Sequence, residues 1–233
     1  MPKHIHIVTR ENSDAGITRS VIGNAVKILG CAGYSDPRSF VHEHYISREQ
    51  DNAIDDFCYD RKAKKLSKKN GYEKLSPKPS IISIEPFLNE YKFRLACELG
   101  IINFPGSLDE ATGEYDNALL YLSYTMITAN TNTLTFGRAS ETGGIIAVAN
   151  ICMTHDDASP EEAARYVGLI ALHELGHVFG LVKLGAPNHA KKSLPRHCIS
   201  RDCIMNTNPE NYLSIDGFCH DCLSALRANA QAR

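Results

Sequence analysis

His173-Glu174-Leu175-Gly176-His177-Val178-Phe179-Gly180 follows the apolar run Gly168-Leu169-Ile170-Ala171-Leu172 in a chain of 233 residues. The stretch reads H-E-x-x-H-x-x-G. Helical side chains four apart lie on one face, so His173 and His177 can grip a single metal ion. Glu174 points into the same site, where it can take a proton from a metal-bound water. The pattern implies a zinc hydrolase. The ordinary alternative is a helix with two surface His and a Glu beside them, and the flanks argue against it. Ser159-Pro160-Glu161-Glu162 is a capping box with Pro at the first helical position. Ala163, Ala164, Val167, Ile170, Ala171, Leu175 and Val178 recur at helical spacing, and Gly180 supplies a left-handed stop. The spacing predicts a helix over about 159–180, buried on one side, with the motif in its last two turns.

The composition, 43% hydrophobic and 22% charged, is that of a globular protein with one good core. A formal net charge of -2 gives no case for nucleic acid as a partner. No apolar run approaches a membrane span, and no membrane partner is expected. The first residues read as a strand rather than a signal peptide, which points to the cytoplasm and to no cleavable pro-segment. Eight Cys are present: Cys31, Cys58, Cys97 and Cys152 are scattered and suit small buried hydrophobes. Cys198, Cys203, Cys219 and Cys222 crowd together, and without a secretory signal they read as metal-binding rather than disulfide-forming.

Residues 3–9 alternate as a strand, and Ile17, Val21, Ile22, Ala25, Val26 and Leu29 form a helical stripe closed by Gly30. Residues 40–46 make a short strand, and Ser47 to Leu66 a helix opened by Ser47-x-x-Gln50. It runs into the basic stretch Arg61 to Lys69, read as a solvated face. Strands are expected at 80–84, 119–127, 133–136 and 144–151, with Phe87 to Leu99 ambiguous. His4 and His6 share one strand face, as do His42 and His44; either pair could bind metal, and ordinary satisfied His is the simpler reading. The fold class is α+β: a twisted mixed sheet with two or three packed helices, followed by an irregular C-terminal piece.

A catalytic zinc takes three protein ligands and keeps one open position. In the metzincin pattern H-E-x-x-H-x-x-G-x-x-H the third His follows the Gly by three residues, and Lys183 stands there in this chain. The residues alone leave the third ligand open between His197 and His189, or absent. His197-Cys198-Ile199-Ser200-Arg201-Asp202-Cys203-Ile204-Met205, read as H-C-x-x-x-x-C-x-M, and then Cys219-x-x-Cys222 closely resemble the archaemetzincins, a family of metzincin zinc peptidases. Phe136-Gly137-Arg138-Ala139-Ser140 and Gly143 to Val148 look like that family's strands before the active-site helix. The resemblance covers about residues 119–222.

The resemblance implies a single metallopeptidase domain over 1–233, with an N-terminal subdomain at 1–181 and a small zinc-stapled C-terminal subdomain at 182–233. His173, His177 and His197 would bind a catalytic zinc, with Glu174 as general base. Met205 would be the methionine of the Met-turn beneath the site. Cys198, Cys203, Cys219 and Cys222 would bind a second, structural zinc, making two Zn2+ per chain. The substrate would be a peptide or protein, with strand 144–151 the edge that pairs with it. The chain departs from the family in a longer link between Leu181 and His197, with Lys183, Lys191, Lys192 and Arg196 on it. That link either gates access and favours acidic substrates, or is a plain solvated loop. No Tyr follows closely after Met205, and Tyr212 is only a remote oxyanion donor. Two rivals stand: a non-catalytic zinc-binding interaction protein, and a zinc hydrolase acting on another bond.

Overall fold

Along the chain the elements are β1 (His4–Arg10), α1 (Ala15–Cys31), a 3-10 turn (Pro37–Phe40), β2 (Val41–Ile46), α2 (Arg48–Cys58), β3 (Ile81–Ser83), β4 (Asn117–Ser123), β5 (Met126–Thr128), β6 (Leu134–Thr135), β7 (Gly137–Ala139), β8 (Ile146–Asn150), α3 (Pro160–Val178) and α4 (His220–Gln231). The computed structural model describes residues 4–58, 81–83, 117–124, 126–128, 134–135, 137–139, 146–150, 158–182, 197–206 and 214–231.

A five-stranded sheet runs in the order β2-β1-β4-β8-β7, and a three-stranded one in the order β3-β5-β6. In the larger sheet β2, β1, β4 and β8 are parallel and β7 is antiparallel to β8. Parallel neighbours need a crossover between them, and α1 makes the one from β1 to β2. Residues two apart share a sheet face. Ile5 and Ile7 of β1 and Ala118, Leu120 and Leu122 of β4 therefore point one way, into a core with the apolar stripes of α1 and α3. Leu119 and Tyr121 point the other way, where Tyr121 meets Asp51 of α2. The mixed sheet with helices packed on it is the expected α+β architecture, with four α-helices among the described residues.

Helices α1 and α3 lie against each other and both end by the same device. At α3 the Leu181 N–H donates to Gly176 O and the Gly180 N–H to His177 O, with Gly180 at φ 72°. At α1 the Tyr34 N–H donates to Leu29 O and the Gly33 N–H to Gly30 O, with Gly33 at φ 99°. These are Schellman closures, which need a left-handed residue that Gly adopts without strain. The stop expected at Gly30 thus falls at Gly33, and Gly30 is helical. The α3 start is as expected: Glu162 N–H donates to Ser159 Oγ at 3.2 Å, and Ser159 N–H to Glu162 Oε2 at 2.9 Å. The acceptance of that N–H lowers the Glu162 pKa.

Two strand expectations change. Residues 119–127 are not one strand, because β4 ends at Ser123 and β5 joins the smaller sheet. Strand 144–151, expected as the open edge, is β8, and it is bonded on both sides by β4 and β7. The edge is β7. The basic run 61–69, Phe87 to Leu99, His189, Tyr212 and link residues 183–196 lie outside the described residues. No described helix is long and apolar enough to cross a membrane.

Asp51 fixes α2 to the sheet. It is 2% exposed, accepts the Tyr121 hydroxyl and lies 3.6 Å from Arg10 Nη1. Burial raises its pKa, against the lowering effect of the Tyr121 bond and Arg10. A carboxyl with a raised folded-state pKa contributes stability below its unfolded pKa, and that contribution is lost as pH rises through the folded value. Asp51→Asn keeps an oxygen for Tyr121, so denaturant melts should show the variant gaining on the parent as pH rises above the ordinary carboxylate range.

Candidate metal centre

The last two turns of α3 carry His173 and His177 on one face, and the two Nε2 atoms stand 3.1 Å apart. The His173 Nδ1 lies 2.6 Å from the Ile204 carbonyl oxygen. A carbonyl only accepts, so Nδ1 carries the proton and Nε2 turns a lone pair toward His177. Burial first, and then His197, push the His173 pKa down to about 3, so the ring stays neutral. His197 comes from the C-terminal segment and stacks on His173, with centroids 5.1 Å apart and planes at 30°. Its ring meets His177 edge-on at 5.1 Å. One nitrogen from each of the three rings falls within 4.8 Å of the others. Three imidazoles converging on one point are a donor set for zinc.

Glu174 is 6% exposed, and burial pushes its carboxyl up to about 8, with Arg138 of β7 pulling it back. Its seat depends on Gly137. A Cβ at Gly137 would stand 2.6 Å from both Cγ and Oε1 of Glu174. The sequence marks Gly137 and Arg138 only as strand residues. Nothing in the local spacing reveals that β7 crosses over Glu174, because the contact depends on the β7–β8 pairing and on α3 packing against both strands.

The four clustered Cys also come together, with every sulfur within 4.8 Å of the others. Cys198 Sγ and Cys219 Sγ are 3.7 Å apart, and Cys203 Sγ and Cys222 Sγ 3.6 Å. Four sulfurs placed tetrahedrally at about 2.3 Å from a centre stand about 3.8 Å from one another, so the spacing fits zinc. None of the four is in a disulfide. The hydrogen bond with Cys222 first, then backbone N–H groups of Cys219 and Met205, pull Cys203 down to about 5. Burial pushes Cys198 up to about 12, and the hydrogen bond with Cys203 raises Cys222. One thiolate is thus stabilised while Cys198 and Cys222 are held protonated; four thiolates at this spacing need a cation between them. The Cys219 N–H points at Cys203 Sγ from 3.3 Å and the Ser200 N–H at Cys198 Sγ from 3.4 Å.

The two clusters share a backbone, since His197 and Cys198 are adjacent. The Cys198 N–H donates to Met205 O at 2.8 Å, and Asn206 Nδ2 donates to Cys198 O at 2.9 Å. This loop brings Met205, which is fully buried, beneath Gly176 in the turn between the two helix His. Helix α4 closes the arrangement: Asn229 Nδ2 donates to Phe179 O at 3.2 Å and Gly180 O at 3.3 Å, serving carbonyls left over at the end of α3. From Gly180 the chain turns again at Val182, a buried residue at φ 52°.

No family model matches the sequence, and no curated protein matches it. Solved structures do. An archaemetzincin from Methanopyrus kandleri is similar with a TM-score of 0.57 and 18% identity, over 99% of this chain and 96% of that one. An archaemetzincin from Archaeoglobus fulgidus, complexed with malonate, gives 0.52 and 17%, over 95% and 99%. A zinc-dependent peptidase from Methanocorpusculum labreanum gives 0.55 and 14%, over 95% and 99%. The chain has the archaemetzincin fold. At such identities the likeness is one of fold, and the chemistry must be argued from this chain's own side chains.

Gly176 offers a test of the packing within this archaemetzincin fold. A methyl group there would run into Met205 Sδ and Cε, with Phe218 Cε1 at 3.4 Å behind. In an open helix Gly→Ala stabilises by about 0.4–1 kcal/mol. Against a fully buried Met205 the sign should reverse, and Gly176→Ala should cost about 1–3 kcal/mol in equilibrium unfolding.

Proposed function

We propose that the chain is a zinc-dependent metallopeptidase of the archaemetzincin family, acting on peptide or protein substrates. The observation that carries this reading is the buried carboxyl of Glu174 beside three imidazoles whose nitrogens converge on one point. A purely structural zinc site has no use for such a carboxyl. His173, His177 and His197 would hold the zinc, with Met205 as the Met-turn methionine beneath them. Zinc supplies Lewis acidity there, polarising a carbonyl and acidifying water. Cys198, Cys203, Cys219 and Cys222 would hold a second zinc, giving two per chain. The domain is read as one unit, with 1–181 presenting α3 and 182–233 supplying His197, the Met-turn and the four thiols.

Glu174 is the proton carrier in this scheme. It takes a proton from the attacking water and hands it to the leaving amine. Its burial excludes bulk water from that transfer, and a carboxyl held up toward about 8 is basic enough to accept a proton near neutral pH. Arg138, which offsets the burial, keeps its ionised form accessible. His173 keeps its lone pair directed at the metal position through the Ile204 carbonyl. Strand β7 is the free edge of the larger sheet among the described residues, and an extended substrate would add to it as a further strand.

Two experiments test this. Glu174→Gln should retain both zincs by elemental mass spectrometry and lose peptide hydrolysis by at least about a hundredfold. Hydrolysis at the parent rate by that variant refutes the role of Glu174. A parent that binds zinc and cleaves no peptide favours a zinc-binding interaction protein or a hydrolase of another bond. Cys219→Ser should lower zinc from about two to about one per chain and weaken what remains, because Cys198 anchors His197. Unchanged zinc content would refute that bracing.

A further inference from the structure

Four imidazoles outside the candidate metal centre stand in an unbroken row. His4 and His6 leave one face of β1, and His42 and His44 one face of β2; the parallel register sets His6 opposite His42 and Val8 opposite His44. The rings alternate between strands, with centroids 5.1 Å apart for His4 and His42, 4.7 Å for His42 and His6, and 5.1 Å for His6 and His44. Their planes lie within 28° of each neighbour. Phe40 closes one end, 5.3 Å from His4. The row occupies the sheet face turned away from α1 and α3, since Ile5 and Ile7 take the other. It runs along β2, the outermost strand of the larger sheet among the described residues.

Within the row the nitrogens meet in two pairs. His4 Nδ1 lies 2.9 Å from His42 Nε2, and His6 Nδ1 lies 2.9 Å from His44 Nε2. Each contact holds one proton between two nitrogens, which requires the accepting ring of each pair to be neutral. The surroundings favour neutrality: burial, then His4, then Arg38 lower the His42 pKa, and burial, then His42, lower that of His44. Two nitrogens bound at about 2.0–2.1 Å to one ion and meeting at a right angle stand about 2.9 Å apart, whereas a tetrahedral ion spreads them to about 3.4 Å. The pairs in this row have the right-angled spacing. The helix pair, His173 and His177, is wider at 3.1 Å.

We propose that the His4–His42 and His6–His44 pairs are two-nitrogen chelates for a divalent late transition-metal ion of the copper and nickel class. Binding replaces the shared proton of a pair with the ion: two nitrogen–metal bonds form, and the displaced proton moves to the other nitrogen of its own ring, so both rings bind as neutral imidazoles. Among the described residues the row contains no group of three donors within 4.8 Å, so water takes the remaining positions. His4, His42 and His44 are half-buried, and only His6, at 3% exposure, is closed off. The ions therefore enter from the β2 side. This site shares no residue with the three-His and four-Cys clusters.

The test loads the full chain with zinc, equilibrates it with Ni2+, removes free ion and counts both metals by elemental mass spectrometry. Nickel avoids the thiol oxidation that copper would cause. The expected result is about two nickel ions per chain with zinc unchanged. His42→Gln and His44→Gln should each remove about one nickel, and the double variant both. In the parent, Ni2+ should broaden the ring nitrogen resonances of these four His in NMR spectra, which checks the assignment without any substitution. No retained nickel in the parent, nickel taken up only as zinc leaves, equal nickel in the double variant, or broadening confined to other His would each overturn the proposal.

Discussion

One hydrogen bond joins the two halves of the metal centre: the His173 Nδ1 proton to the Ile204 carbonyl. It lies in the core, where leaving either group unpaired costs about 1–3 kcal/mol. The bond orients a ring on α3 by means of a backbone group from the C-terminal segment, so neither segment alone defines the donor geometry. The rest of the arrangement protects it. Met205 fills the space under Gly176, Ile204 N–H is held by Gly217 O at 2.8 Å, and the four thiols hold the loop on either side. Asn229 then fixes α4 to the end of α3.

That coupling explains why a small segment low in core residues can place His197. A short piece of chain cannot bury enough apolar surface to order itself, and in the proposed reading a zinc held by the four thiols would substitute for the missing core. Cys198 sits next to His197, so the ordering is delivered where it is needed. The buried Glu174 is a different kind of investment. Its burial works against its own charge, which a structural residue would avoid and a proton carrier exploits.

The parts legible in the sequence were those fixed by local spacing. The capping box at Ser159 and Glu162, the two His one turn apart and the closing Gly180 are all read from residues within a few positions of each other. The C-terminal Cys and Met205 were legible through their likeness to a known pattern. What escaped depends on which strands become neighbours. Alternation shows that His4 and His6 share a face, but only the parallel register of β1 and β2 interleaves them with His42 and His44. Strand β8 looked like an edge because its sequence says nothing about β7 folding back along it. Gly137 looked like any strand glycine, although Glu174 occupies the space where its side chain would be. Gly33 displaced Gly30 as the end of α1 because the last turn could continue before a left-handed residue closed it.

Val182 is a buried, β-branched residue at φ 52°, two positions after Gly180 at φ 72°. A branched side chain in the left-handed region is costly and persists only where its surroundings hold it. Two such bends in close succession set the direction in which the chain departs from α3, and the His197–Cys198 anchor sets where it must return. Departure and return are both fixed by packing. Changes of length between these two fixed ends should therefore leave the centre in place.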